Sequence, residues 1–290
     1  MSGAVSPRHT NDFAREFSFE ATRPTARELS EVAGIVAPGT PLYLTSVATQ
    51  DNRQLIALAG AVRRTGFEPV AHLAARRVAS VPDLQELLRG LRGESDMRRA
   101  LVIAGDVDAS GPFPDALSVI QRGKLREAGI EEIGVGSYPE GHPRISADRI
   151  EAALDQKIAA ARASGLRVHI VSQFSFDPEA IVAWLKRLRA CGVAVPVKIG
   201  MAGPTSLPSL LRYAKRCGVG ASLKGLMSGA AAGLLGHVGP DRIVEALATA
   251  GDIGEAAPHY FSFGGILATA RYAQKAAGLF PSGRAMAQSS

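Results

Sequence analysis

Glu20, Asp106 and Gln173 each close an apolar or small-residue run, and each is of a type that moves or holds protons. Glu20 follows Phe17-Ser18-Phe19, Asp106 follows Ala104-Gly105, and Gln173 follows Val171-Ser172. A carboxyl group beside two phenylalanines is expected in a partly apolar pocket, where desolvation raises its pKa and suits it to act as a general acid near neutral pH. Gly105 has no side chain, so the backbone before Asp106 can approach a ligand closely. The Gln173 amide both donates and accepts, as the edge of a heterocyclic amide requires. Thr45 and His72 close two further apolar runs, and Tyr138 and His142 lie in Tyr138-Pro139-Glu140-Gly141-His142-Pro143. The prolines there stop strand and helix alike and stiffen the loop. Each residue also has a plainer role: Thr and Asp form turns and caps, a single His is often satisfied in a core, and Gln can be structural. The recurrence carries more than any one residue, because a carboxylate in an apolar run is costly to bury without purpose.

The elements around these residues alternate regularly. Strands are expected at Phe17–Glu20, Leu42–Val47, Pro69–Leu73, Ala100–Ala104, Ile133–Gly136, Arg167–Phe176, Val195–Gly200 and Pro258–Phe263. Helices are expected at Thr25–Val36, Asn52–Thr65, Pro82–Leu91, Ala116–Ala128, Ser146–Ser164, Pro178–Cys191, Leu207–Arg216, Ser222–His237, Pro240–Ala250 and Ile266–Ala277. Asp177-Pro178-Glu179 reads as an N-cap, a proline in the first turn and an early acid. Strands alternating with helices imply a parallel sheet. The pattern fits a single α/β domain, a (β/α)8 TIM barrel with an eight-stranded parallel sheet over residues 15–280, better than an open doubly wound sheet. Residues 1–14 read as a flexible leader and 281–290 as a flexible tail. In such a barrel the strand C-termini share one rim, so the polar strand ends would converge on a single site.

Composition narrows the alternatives. The chain has 290 residues and a formal net charge of +6, with arginines dispersed over helix ends and faces. Dispersed arginine reads as solvated surface rather than a nucleic-acid face, while a modest positive field favours anionic small molecules. No apolar run approaches the ~20 residues of a transmembrane helix, and no signal-peptide core is visible. Cys191 and Cys217 lie in no metal-binding spacing and are expected as thiols in a cytoplasmic protein. No GxGxxG follows the first strand, and Walker A and GxSxG motifs are missing. No metal site is expected.

The ordered blocks resemble the methylenetetrahydrofolate reductase family in its short bacterial catalytic form, over Phe17 to Gly278. They are Ser18-Phe19-Glu20, Leu44-Thr45, Ala71-His72-Leu73, Gly105-Asp106, Tyr138 to Pro143, Val171 to Asp177, Ile199-Gly200-Met201 and His259-Tyr260-Phe261. The Tyr-Pro-Glu-Gly-His-Pro block is the most specific. The resemblance implies a barrel binding FAD, with NAD(P)H as co-substrate, that converts 5,10-methylenetetrahydrofolate to 5-methyltetrahydrofolate. It implies Glu20 as the acid that protonates folate N10. It also implies Asp106 as the carboxylate touching flavin and pterin, and Gln173 as the folate-contacting amide. Implied flavin contacts are Thr45, His72, Gly105, Asp106, Tyr138, His142 and Lys157. This chain departs from the family at Ala104, where an arginine is usual, and at Ser262-Phe263-Gly264-Gly265, where Asn-Arg is usual. The same residues also fit the reverse flux, oxidation of 5-methyltetrahydrofolate. A flavin-free NAD(P)H reductase and a non-catalytic folate-binding barrel are further readings. Partners are then the folate and a nicotinamide dinucleotide, with neither nucleic acid nor membrane, and a homo-oligomer is left open.

Overall fold

The structure is a computed structural model that describes residues 13–47, 50–217, 219 and 239–278. Eight strands form a closed, all-parallel barrel in sequence order: β1 (Ser18–Ala21), β2 (Pro41–Leu44), β3 (Glu68–Ala74), β4 (Arg99–Ile103), β5 (Glu132–Ser137), β6 (Arg167–Ser172), β7 (Val197–Ala202) and β8 (Ala256–Phe261). β8 returns to β1 through the register Ser18↔His259, Phe19↔Tyr260 and Glu20↔Phe261. The α/β barrel expected from the alternating pattern is the observed fold.

The described helices are α1 (Ala26–Ala33), α2 (Asn52–Arg64), α3 (Val81–Ser95), α4 (Ala116–Arg122), α5 (Ala147–Ala163), α6 (Pro178–Ala190), α7 (Leu207–Cys217), α8 (Asp241–Thr249) and α9 (Ile266–Ala276). Their starts are encoded locally. Thr25 with Glu28, and Asp51 with Gln54, form reciprocal capping boxes that satisfy amides the first helical turn cannot. Asp177 caps α6 through a bond from Ala180 N, with Pro178 in the first turn, as its sequence predicts. α4 ends at Arg122, well short of the expected Ala128, because Gly123 and Lys124 break it; Lys124 takes φ +50°, a conformation no helix tolerates. The expected helix Ser222–His237 and the tail 281–290 lie outside the described residues.

Apolar residues on the outward strand faces pack against the helices: Phe19, Leu42, Leu44, Ala71, Val102, Ile133, Ile170 and Ile199 all belong to this outer core. Phe13 and Ala14, read from sequence as part of the leader, join it, and Ala14 is fully buried. A small separate apolar cluster of Tyr43, Val70, Leu101 and Val171 fills the barrel axis. Around it the axis is polar, with Ser18, His72, His169 and His259 buried. Among the described residues no helix is long and apolar enough to cross a membrane.

One seam of the barrel is short. β6 pairs with β7 only at Ile170↔Val197 and Val171↔Lys198, whereas β7 pairs with β8 at six positions. Above Lys198 the backbone ladder gives way to a side chain: Gly200 N donates to Ser172 Oγ at 2.8 Å, and Ser172 Oγ donates to Gln173 O at 3.0 Å. That is why β6 ends at Ser172 rather than at the expected Phe176. Gln173 N still donates to Ser137 O of β5 at 2.8 Å, while its side chain lines the barrel mouth.

Candidate active site

A cavity of about 680 Å³ opens at the C-terminal ends of the strands, and Glu20, Thr45, His72, Gly105, Asp106, Tyr138 and Gln173 all line it. A neighbouring cavity of about 300 Å³ lies under the loop 138–143 and shares Tyr138 and Gln173 with the first; His142 lines this one. The strand-end residues singled out by sequence therefore converge on one rim. Lys157 lines neither cavity. Its ammonium donates to Gly136 O at 2.8 Å, holding the end of β5, and burial pushes its pKa down to about 8.

Glu20 points along the barrel axis from β1. Its Oε2 lies 3.1 Å from His72 Nε2, on β3, and 3.8 Å from His259 Nε2, on β8. Ser18 Oγ meets the other ring nitrogen of His259, Nδ1, at 2.9 Å and so orients the imidazole. Burial alone pushes the Glu20 carboxyl up, but the charge of His72 and the two imidazoles beside it outweigh burial and hold the group at about 2. The sequence expectation of a raised carboxyl is thus corrected. The two phenylalanines that suggested an apolar pocket face away: Phe19 packs edge-on against Phe67 in the outer core.

The remaining groups are held by short-range contacts. Asp106 is gripped by Arg77 Nη2 at 2.5 Å, from the short 3-10 turn after β3. Gly105 adopts φ +94°, open to glycine and strained for other residues, which sets the turn into Asp106. Thr45 Oγ1 donates to Thr22 Oγ1 at 2.8 Å. The Tyr138 and His142 rings meet edge-on at 5.1 Å, and His142 Nδ1 accepts from Arg144 N at 3.2 Å. Burial pushes the Tyr138 hydroxyl up and the His142 imidazole down.

Sequence reasoning missed one wall of the mouth. Tyr213 on α7 stacks on Phe263 with ring centroids 4.1 Å apart and planes 11° from parallel, and both line the cavity with Phe261. A flat aromatic wall in the same cavity as a carboxylate and an amide suits a planar heterocycle. It also missed Ser18 and His259 behind Glu20. Their signal was parity: Ser18 and Glu20 lie two apart in β1, and His259 and Phe261 two apart in β8, so each pair faces the same side. Among the described residues no group of three or more metal-ligating side chains is placed to hold a metal ion.

The buried charges carry a pH dependence. Burial pushes His169 and His259 below the ordinary 6.5, while Glu20 and Glu132 are held near 2, below the ordinary 4.5. All four therefore bind protons more readily in the unfolded chain. The histidine contribution is complete above their unfolded pKa and is lost as pH falls through the folded one. The carboxylate contribution is complete above about 4.5 and is lost on approach to about 2. Urea unfolding at about pH 7, 5.5 and 4 should show stability falling at each step. Equal midpoints across that range would contradict the buried neutral histidines.

The family model for methylenetetrahydrofolate reductase matches residues 13–223. A 5,10-methylenetetrahydrofolate reductase of Pectobacterium carotovorum subsp. carotovorum is 30% identical over 154 residues, which are 52% of this chain and 49% of that protein. The chain thus spans about half the length of this curated relative. Among solved structures, a dihydropteroate synthase from Thermus thermophilus in complex with 6HMPPP overlaps 93% of each chain at TM-score 0.50 and 17% identity. At that identity the likeness is one of fold alone. The barrel, its converging strand ends and a family match over most of the chain lead to one assignment: the chain belongs to the methylenetetrahydrofolate reductase family.

Proposed function

We propose that this chain reduces 5,10-methylenetetrahydrofolate to 5-methyltetrahydrofolate with NAD(P)H, using FAD bound in the barrel mouth. The observation that carries the reading is the meeting of Glu20, Asp106 and Gln173 in one cavity, in a chain of this family. The donor set fits the group. Thr45, the Gly105–Asp106 turn and Tyr138 rim the cavity, with His142 in the adjoining one. The hydride chemistry between nicotinamide and folate is what FAD supplies when bound.

The chain's own residues position and protonate. Gln173 presents an amide to the pterin edge, and the Tyr213–Phe263 stack gives the ring system a flat neighbour. Asp106, fixed by Arg77, sets the charge beside it. Glu20 hands a proton to folate N10. It is ionised in the open mouth, and a heterocycle closing over it removes solvent water and raises its proton affinity. His72 Nε2, 3.1 Å away, lies within reach to resupply the proton.

The purified protein should show a flavin absorbance spectrum that NADH or NADPH bleaches anaerobically and methylenetetrahydrofolate restores. Colourless protein with NAD(P)H-dependent folate turnover would replace this reading with the flavin-free one, which Ala104 favours by removing a cation from the rim. Absence of both colour and turnover would leave a folate-binding barrel.

A further inference from the structure

The opposite, N-terminal end of the barrel holds another cavity, of about 690 Å³, remote from the rim that carries Glu20. Five cationic and three anionic side chains line it. Its innermost cation is Lys198. In β7, Val197 and Ile199 pack outward into the core, so Lys198 between them faces the barrel axis. The side chain is largely buried, and among the described residues no carboxylate forms an ion pair with its ammonium. Three carboxylates, Glu132, Glu16 and Glu255, act on it across the cavity, and the foremost of them, Glu132, is already committed. Glu132 Oε1 takes His169 Nδ1 at 2.7 Å, while its Oε2 faces Arg167 Nη2 at 3.4 Å and Arg99 Nε at 3.6 Å. A buried ammonium without a close partner is costly. Here it opens onto a cavity in which two further cations, Arg99 and Arg167, share a single carboxylate.

We propose that this cavity binds a small oxyanion of the phosphate class, held by Lys198 at its base and by Arg99 and Arg167 at its edge. Lys198 supplies a point charge with mobile donors, and the two guanidiniums supply planar forks matched to tetrahedral oxyanions. Bound anion neutralises the unpaired ammonium, so the folded protein is stabilised as the anion concentration rises above its dissociation constant. The site is independent of the folate reading, since it shares no residue with the mouth.

The test compares the full-length protein in inorganic phosphate or pyrophosphate with sodium chloride at matched ionic strength, by calorimetric titration and by thermal melting. Saturable binding of phosphate or pyrophosphate is expected, with a melting point above that in chloride. Lys198→Met should weaken binding at least tenfold and abolish the rise in melting point that phosphate gives the wild type. Arg167→Gln, an exposed change that leaves the fold undisturbed, should weaken binding several-fold if Lys198→Met cannot be purified. Arg77→Gln, at the mouth, should leave it unchanged. No saturable binding by wild type, equal binding by Lys198→Met and wild type, or loss on Arg77→Gln alone would each overturn the proposal.

Discussion

Glu20→Gln should slow folate reduction by about 1,000-fold or more, the span general acid catalysis supplies. Reduction of the bound flavin by NAD(P)H should change by no more than about threefold, because that half of the cycle needs no proton at folate N10. The substitution keeps side-chain shape and a hydrogen-bonding oxygen toward His72, 3.1 Å away in the native protein. What it removes is the exchangeable proton and the carboxylate charge beside His72 and His259. Stopped-flow measurement of the two half-reactions separates these effects. Folate turnover within tenfold of wild type would show that the proton comes from elsewhere and would end the assignment of Glu20 as its donor.

Gly200→Ala should destabilise the barrel by about 3 kcal/mol, the upper part of the overpacking range, and raise the KM for folate. A β-carbon at this position falls onto Ser172 O and lies 2.9 Å from both Gln173 C and Phe174 N. These are backbone atoms of β6 and its exit loop, so no side-chain rotation relieves the clash. The strand end must shift, and Gln173 shifts with it. The bond from Gly200 N to Ser172 Oγ, which closes the seam, is lost at the same time. Urea unfolding and steady-state kinetics read the two consequences separately. A variant with wild-type stability and wild-type KM would show that the seam neither supports the barrel nor places Gln173.

The barrel was legible because each strand is a short apolar run bounded by glycine, proline or a cap, and each helix carries its own stop signal. The rim was legible for the same reason: a polar residue closing an apolar run marks a strand's end. The environment of Glu20 was not. Sequence places Phe17 and Phe19 beside it, but neighbours in a strand face opposite sides, and the residues that set its charge come from β3 and β8. His169 was overlooked within Val168-His169-Ile170 because a near-continuous apolar run reads as buried on both faces. Its parity with Val171 and Gln173 places it on the axis. The Tyr213–Phe263 wall joins residues fifty positions apart, and only the closed barrel brings them together.

The polar line through the barrel axis has a consequence for how its two ends relate. The Tyr43 hydroxyl lies 2.9 Å from His169 Nε2, within hydrogen-bond distance, and its ring is edge-on to His259 with centroids 4.6 Å apart. Burial raises its hydroxyl pKa first; the charge of Glu132 below raises it further, Arg99 opposes, and Glu20 above adds to the rise. A single phenol thus sits in the field of both carboxylates. The Tyr43 hydroxyl therefore responds to carboxylate charge from both ends of the axis, with no backbone displacement needed.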